Sequence, residues 1–227
     1  MKQLVTYKKL FTGLAVVAAG FLTSCEKNNI DDSGQFQLKV VNASPSAGPQ
    51  SFTLAGSVLV SGGLNFTDAS PYITSPSGTR LVGEFKTDGT NNVFASGEIW
   101  TDNNIVQTVY LAGTGSKARV KVYTDDLGAP NNGKVKIKFI HLSDDAPSDI
   151  KIEDSTGDDL VTNLSRNIAS GYKFVDPGTL SLQLSGTASR NNIGNFTITD
   201  LQEGKIYTLY LTDSSNGGLL MNKVLHN

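Results

Sequence analysis

One cysteine, one tryptophan, two methionines and two histidines occur in 227 residues. A single cysteine excludes an intrachain disulfide and a cysteine-based metal site. With only His141 and His226, little is left for a Ser-His-Asp system, which needs a histidine held by a buried carboxylate. No Gly-x-Ser-x-Gly elbow is present either. "GTGSK" at 113–117 lacks the spacing of a phosphate-binding loop and leads into a strand-like run, so it reads as a hairpin turn. Charge is sparse: 19 Lys and Arg stand against 21 Asp and Glu, a net of −2. That balance offers no basic patch for nucleic acid. No apolar run reaches the roughly 20 residues of a membrane helix. No stretch beyond the N-terminal segment sustains a 3.6-residue apolar period, so almost no helix is expected.

What is present begins at the N-terminus. Residues 1–9 carry Lys2, Lys8 and Lys9 and no acid, and residues 10–22, "LFTGLAVVAAGFL", are almost wholly apolar. A basic start, a short apolar core and small residues at its end describe a secretory signal. Thr23 and Ser24 precede Cys25, an arrangement that resembles the lipobox of bacterial lipoproteins. The resemblance implies that residues 1–24 are removed and that the Cys25 thiol is lipidated. Each buried methylene contributes about 0.8 kcal/mol, and two or more chains hold firmly where one holds marginally. The expectation is a chain anchored to membrane through Cys25, at the outer membrane of a bacterial cell envelope, facing the periplasm or the surface. Residues 25–34 read as a polar tether. The alternative is an ordinary cleaved signal with an incidental cysteine. Without residues 1–24 the balance is 16 basic against 21 acidic, or −5.

The rest alternates with period two. "RVKVY" at 119–123, "KVKIKFI" at 134–140 and "KIYTLYL" at 205–211 show the pattern of half-buried strands. Turn-rich segments such as "DGTNN" at 88–92, "GAPNNG" at 128–133 and "DSSNGG" at 213–218 separate them. The chain also repeats. "SPYITSPSGT" at 70–79 answers "SGYKFVDPGT" at 170–179, and "TVYL" at 108–111 answers "TLYL" at 208–211, both at a shift of 100. "KVVNASP" at 39–45 answers "KFIHLSD" at 138–144 at a shift of 99. The expected fold is all-β: two tandem immunoglobulin-like β-sandwich domains, residues 35–127 and 134–227, after the lipoprotein signal. Tyr72, Tyr172, Tyr110 and Tyr210 are expected to pack at core edges. Gly78 and Gly178 are expected to supply positive φ, and Trp100 to pack in a core or at its edge.

"FIHLSDDAPSDIKIED" at 139–154 resembles the opening of a bacterial family, domain of unknown function 4397. His141, Ser143, Asp145, Ala146, Pro147 and Asp149 carry the resemblance. "VVNASPSAGPQSFTLAG" at 40–56 repeats it more weakly, with Asn42 where the histidine belongs. The resemblance covers nearly all of the chain beyond residue 24 as two copies. It implies an envelope sandwich domain and no reaction.

His141 with Asp144, Asp145 and Asp149 is the candidate cation or ligand loop, since calcium takes several oxygen ligands from one loop. The competing reading is an Asx-type turn before Pro147. No cofactor, no catalytic residue and no metal centre is assigned. The functional expectation is a non-catalytic binding or structural module whose partners are membrane lipid and a glycan or another envelope protein. The alternatives are a glycan-binding surface lipoprotein, which needs a row of exposed aromatics, and an envelope hydrolase built on the Asp144 to Asp149 loop.

Overall fold

The computed structural model describes residues 28–227. The leader, Cys25 and the first residues of the expected tether lie outside the described residues. Apart from one short 3-10 turn (Gly115–Lys117), every regular element described is a strand. The first unit comprises β1 (Asn29–Asn42), β2 (Gln50–Leu54), β3 (Ser57–Leu64), β4 (Ile73–Thr87), β5 (Val93–Thr101), β6 (Val106–Ala112) and β7 (Arg119–Thr124). The second comprises β8 (Val135–His141), β9 (Asp149–Asp154), β10 (Asp159–Ser165), β11 (Lys173–Val175), β12 (Gly178–Gly186), β13 (Asn192–Leu201), β14 (Ile206–Asp213) and β15 (Leu219–Leu225).

Alternation decides which side chains face inward. In β8, Val135, Ile137 and Phe139 point into a core closed by Ile150 and Ile152 of β9, Leu182 and Leu184 of β12, and Leu209 and Leu211 of β14. The first unit does the same with Phe36, Leu38 and Val40 against Phe52, Phe85 and Ile99. Each unit is therefore a sandwich with its own core.

The two units follow one course. In the second, the layers are β10-β9-β12-β13 and β11-β8-β14-β15. In the first, the 15-residue β4 serves both layers: its first half pairs with β1 and its second half with β2 and β5. The second unit breaks that strand into β11 and β12 at Asp176 and Pro177. Proline has no N–H for a ladder, and Gly178 follows at φ 110°. The sandwich is as the sequence suggests, but its strand order is not the immunoglobulin one, which sets the first strand beside the second. Here β1 lies between β4 and β6, parallel to β6, and β8 lies between β11 and β14, parallel to β14. Alternation specifies strands and faces; it carries no record of a parallel pairing between distant segments.

Two local expectations also change. Asn29, Ile30 and Asp31, read as tether, pair with Thr79, Gly78 and Ser77 of β4. Gly78 does not have positive φ. A Cβ there would lie 2.2 Å from the Asn29 carbonyl oxygen, so this glycine lets β1 approach β4. Arg80, two residues on, takes the left-handed conformation at φ 55°.

Candidate functional site at the seam between the sandwiches

The strand faces turned away from the two cores meet each other. Val41 and Ala43, Tyr110 and Ala112, Ile140 and Leu142, and Tyr210 and Val224 form a third buried cluster with members from both sandwiches. At its centre the repeat-related Tyr110 and Tyr210 meet edge to face, ring centroids 5.6 Å apart, and Tyr123 adds a second such contact to Tyr110 at 5.8 Å. Edge-to-face pairs of this kind contribute about 0.5–1.5 kcal/mol beyond their buried area. The tyrosines thus pack as the sequence suggests, but between sandwiches.

Beside this apolar centre lies a closed polar network. Asp125 follows β7 and His226 follows β15, and each backbone N–H bonds the start of the neighbouring strand: Asp125 to the Val106 carbonyl at 2.8 Å, His226 to the Ile206 carbonyl at 2.9 Å. The two residues therefore occupy equivalent places. Thr108 donates to Asp125 Oδ2 at 2.5 Å, while Thr208 lies 2.8 Å from His226 Nε2. Tyr72 Oη bridges them, 2.9 Å from Asp125 Oδ2 and 2.6 Å from His226 Nδ1. Lys138 Nζ reaches across from β8 to Asp125 Oδ1 at 2.7 Å and to the Thr124 carbonyl at 2.8 Å. Lys39, the first-copy counterpart of Lys138, donates to the Leu225 carbonyl at 2.6 Å and lies over the Tyr72 ring at 4.6 Å. Lys136 lies 4.6 Å over Tyr172.

With a neutral imidazole, one proton arrangement satisfies the chain. Tyr72 has a single hydroxyl proton, and the Asp125 carboxylate is acceptor-only. Tyr72 therefore donates to Asp125, His226 Nδ1–H donates to Tyr72, and the Thr208 hydroxyl donates to the bare Nε2. A charged ring donating from Nε2 to Thr208 would fit the same contacts, so it is burial that keeps His226 neutral. Burial pushes its pKa down to about 4, the Asp125 charge opposes that, and Lys138 and Lys39 deepen it. Burial also lowers Lys39, against the pull of Asp125, and raises the Tyr72 phenol, helped by Asp125.

The far end of the seam holds the candidate cation loop. Arg119 of β7 donates from Nη1 to Asp144 Oδ2 at 2.8 Å, from Nη2 to the Leu142 carbonyl at 2.9 Å and from Nε to Asn167 Oδ1 at 2.7 Å. Asp149 accepts from Ser165 and Ser148, which hold its carboxyl below the usual range. Asp145 presents its side chain to solvent, and its N–H bonds Ser143 Oγ and Asp213 Oδ1. His141 Nε2 donates to the Pro147 carbonyl at 2.8 Å, so its buried Nδ1 is unprotonated and has no partner. These four side chains do not converge, and among the described residues no three His, Cys, Asp or Glu side chains gather in metal-binding fashion. The organiser is Asp213, which accepts from the Ser143 hydroxyl and from the N–H groups of Asp144 and Asp145. In the first sandwich Asn42 does the work of His141, donating to the Gly48 carbonyl at 3.3 Å.

The model of one protein family, "Domain of unknown function (DUF4397)", matches residues 36–153. The chain belongs to the DUF4397 family. The match is one span, running from β1 to β9. It thus contains Tyr72, Thr108, Asp125 and Lys138 of the seam, together with His141, Asp144, Asp145 and Asp149, and stops before Tyr172, Thr208 and His226. No curated protein matches the chain. Among solved structures, the Bacillus anthracis TIE protein shares 9% identity at a TM-score of 0.25, over 80% of this chain and 34% of that one. The family CBM26 module from Eubacterium rectale, solved in complex with maltoheptaose, shares 10% at 0.26, over 85% of this chain and 96% of that one. The chain therefore spans about a third of the first of these proteins. Likeness at these scores carries no argument about what this chain binds.

Sequence reasoning missed Asp125, Asp213 and the burial of Lys39, Lys136 and Lys138. It also misjudged Trp100, which is 58% exposed on β5. Phe174, the other well-exposed aromatic among the described residues, lies on β11 of the second sandwich, so the two belong to different units.

Proposed function

We propose that this chain is a non-catalytic module of a bacterial cell envelope, anchored in the outer membrane through lipid on Cys25, where it binds or spaces another envelope component. The seam carries this reading. Asp125, Lys138, His226, Lys39 and Tyr72 are spent on one another between the sandwiches, beside the apolar cluster of Val41, Tyr110, Ile140 and Tyr210. Interdomain contacts within a chain ordinarily permit relative motion; an apolar cluster flanked by buried ion pairs restrains it. A stiff, two-domain body on a lipid anchor suits display or spacing at a surface. The leader supports the anchor: a basic start, an apolar core and Thr23 and Ser24 before Cys25.

The test is metabolic labelling of the native chain with an alkyne-bearing fatty acid, followed by mass spectrometry of its N-terminal peptide. The expected result is a chain that begins at a lipidated Cys25 and sediments with membranes, with Cys25→Ser unlabelled. An unmodified chain that still begins at Met1 overturns the anchor and, with it, the placement in the envelope.

A further inference from the structure

We propose that Lys138 and Asp125 become joined by an intramolecular amide, a covalent bond that staples the first sandwich to the second. Among the described residues, this is the one lysine–carboxylate pair closed to solvent on both sides, with side chains 3% and 0% exposed. Lys136–Asp126, Lys134–Asp176 and Lys151–Glu153 all reach water on at least one side. Lys138 Nζ lies 2.7 Å from Asp125 Oδ1, which holds the amine beside the carboxyl carbon it would attack.

The surroundings fit condensation. Asp125 Oδ2 receives two hydroxyl donors, Tyr72 and Thr108, placed where a tetrahedral intermediate would gather negative charge. His226 Nδ1, 2.6 Å from Tyr72 Oη, backs that hydroxyl. The Thr124 carbonyl holds Nζ in place. The step balances without a co-reactant. The ammonium passes one proton to Oδ1, and the free amine attacks Cγ to form the C–N bond. A second nitrogen proton moves to the same oxygen, the C–Oδ1 bond breaks, and water leaves. An ion pair becomes a neutral amide, which ends the desolvation penalty that a buried charge pair otherwise bears.

The bond would bypass the connection that holds Gly128, Pro130 and Gly133. Tension between the sandwiches would then run from the end of β7 directly into β8. The inference stands apart from the anchor on Cys25.

Trypsin digestion of the unfolded full-length chain decides the matter. Joined, Lys138 resists cleavage, and residues 122–134 appear attached to residues 137–151 as one branched peptide, lighter than its two parts by one water. Asp125→Ala abolishes that peptide, and Tyr72→Phe slows its appearance on the order of 100-fold, the effect of removing one oxyanion donor. Complete cleavage after Lys138, with residues 122–134 recovered only as a linear peptide, overturns the proposal. So does a branch at Lys136 instead.

Discussion

Lowering the pH from about 7.5 to about 5 protonates His226 in the unfolded chain but not in the folded one. The unfolded ring takes a proton near 6.5, whereas the buried ring, facing Lys138, Lys39, Asp125 and Tyr72, takes one only near 4. A depressed folded value means that the unfolded state binds the proton first, so stability is full above pH 6.5 and falls as the pH drops. The gap corresponds to about 3 kcal/mol in total, of which about 2 kcal/mol is gone by pH 5. That window precedes the titration of most carboxylates. Removal of the Asp125 charge by amide formation would lower the folded value further, so the sign is the same in either state. The assay is urea unfolding of the full chain at both pH values, set against His226→Gln, which keeps polar atoms and cannot titrate. Wild type should lose about 2 kcal/mol more than the variant. His141, depressed by its own burial, contributes equally to both proteins. Equal losses in the two proteins, or a wild type that gains stability in acid, refute the neutral, buried His226 on which the network depends.

Asp125→Ala should cost about 3–5 kcal/mol, because Lys138 is left buried without its partner; a chemical-denaturation midpoint close to that of wild type would contradict the closed seam. Tyr110→Ala empties the centre of the interdomain cluster and should cost a similar 3–5 kcal/mol. Trp100→Ala, on the exposed face of β5, should stay within about 0.5 kcal/mol, and calorimetry of the two variants side by side checks the contrast. Gly78→Ala forces a Cβ against the Asn29 carbonyl and should cost about 1–3 kcal/mol. Faster amide exchange confined to residues 29–31 and their β4 partners would show that the loss is local.

Much of the architecture was legible because it is written in short-range alternation. "KVKIKFI" marks both a strand and the face of Ile137 and Phe139 that builds the second core. The phase of β5 was legible too: Ala95 and Ile99 face inward, which sends Trp100 outward. Strand order was not legible, because the parallel pairs β1–β6 and β8–β14 join segments with no local signature. Nor was the role of Gly78, which depends on how closely another strand passes.

The seam was half legible, and the half that was missed explains the rest. A lysine that alternates with apolar residues ordinarily marks a solvated face, and Lys39, Lys136 and Lys138 looked like that. Each is instead less than 9% exposed, because the corresponding face of the other sandwich lies against it. The repeat at a shift of 100 was the available signal. Tyr72 and Tyr172, Thr108 and Thr208, and Tyr110 and Tyr210 recur at outward positions where a solvated surface has no reason to preserve aromatic rings. What the repeat could not show is a departure from symmetry just after the last strand of each unit. Where the first copy ends in Asp125, the second ends in His226. Two aspartates there would repel across Tyr72, and two histidines would leave Lys138 with no counter-charge. An acid on one side and a neutral base on the other let a single tyrosine proton close the circuit. Asymmetry at that one pair of positions is therefore what allows two similar faces to bury their lysines against each other.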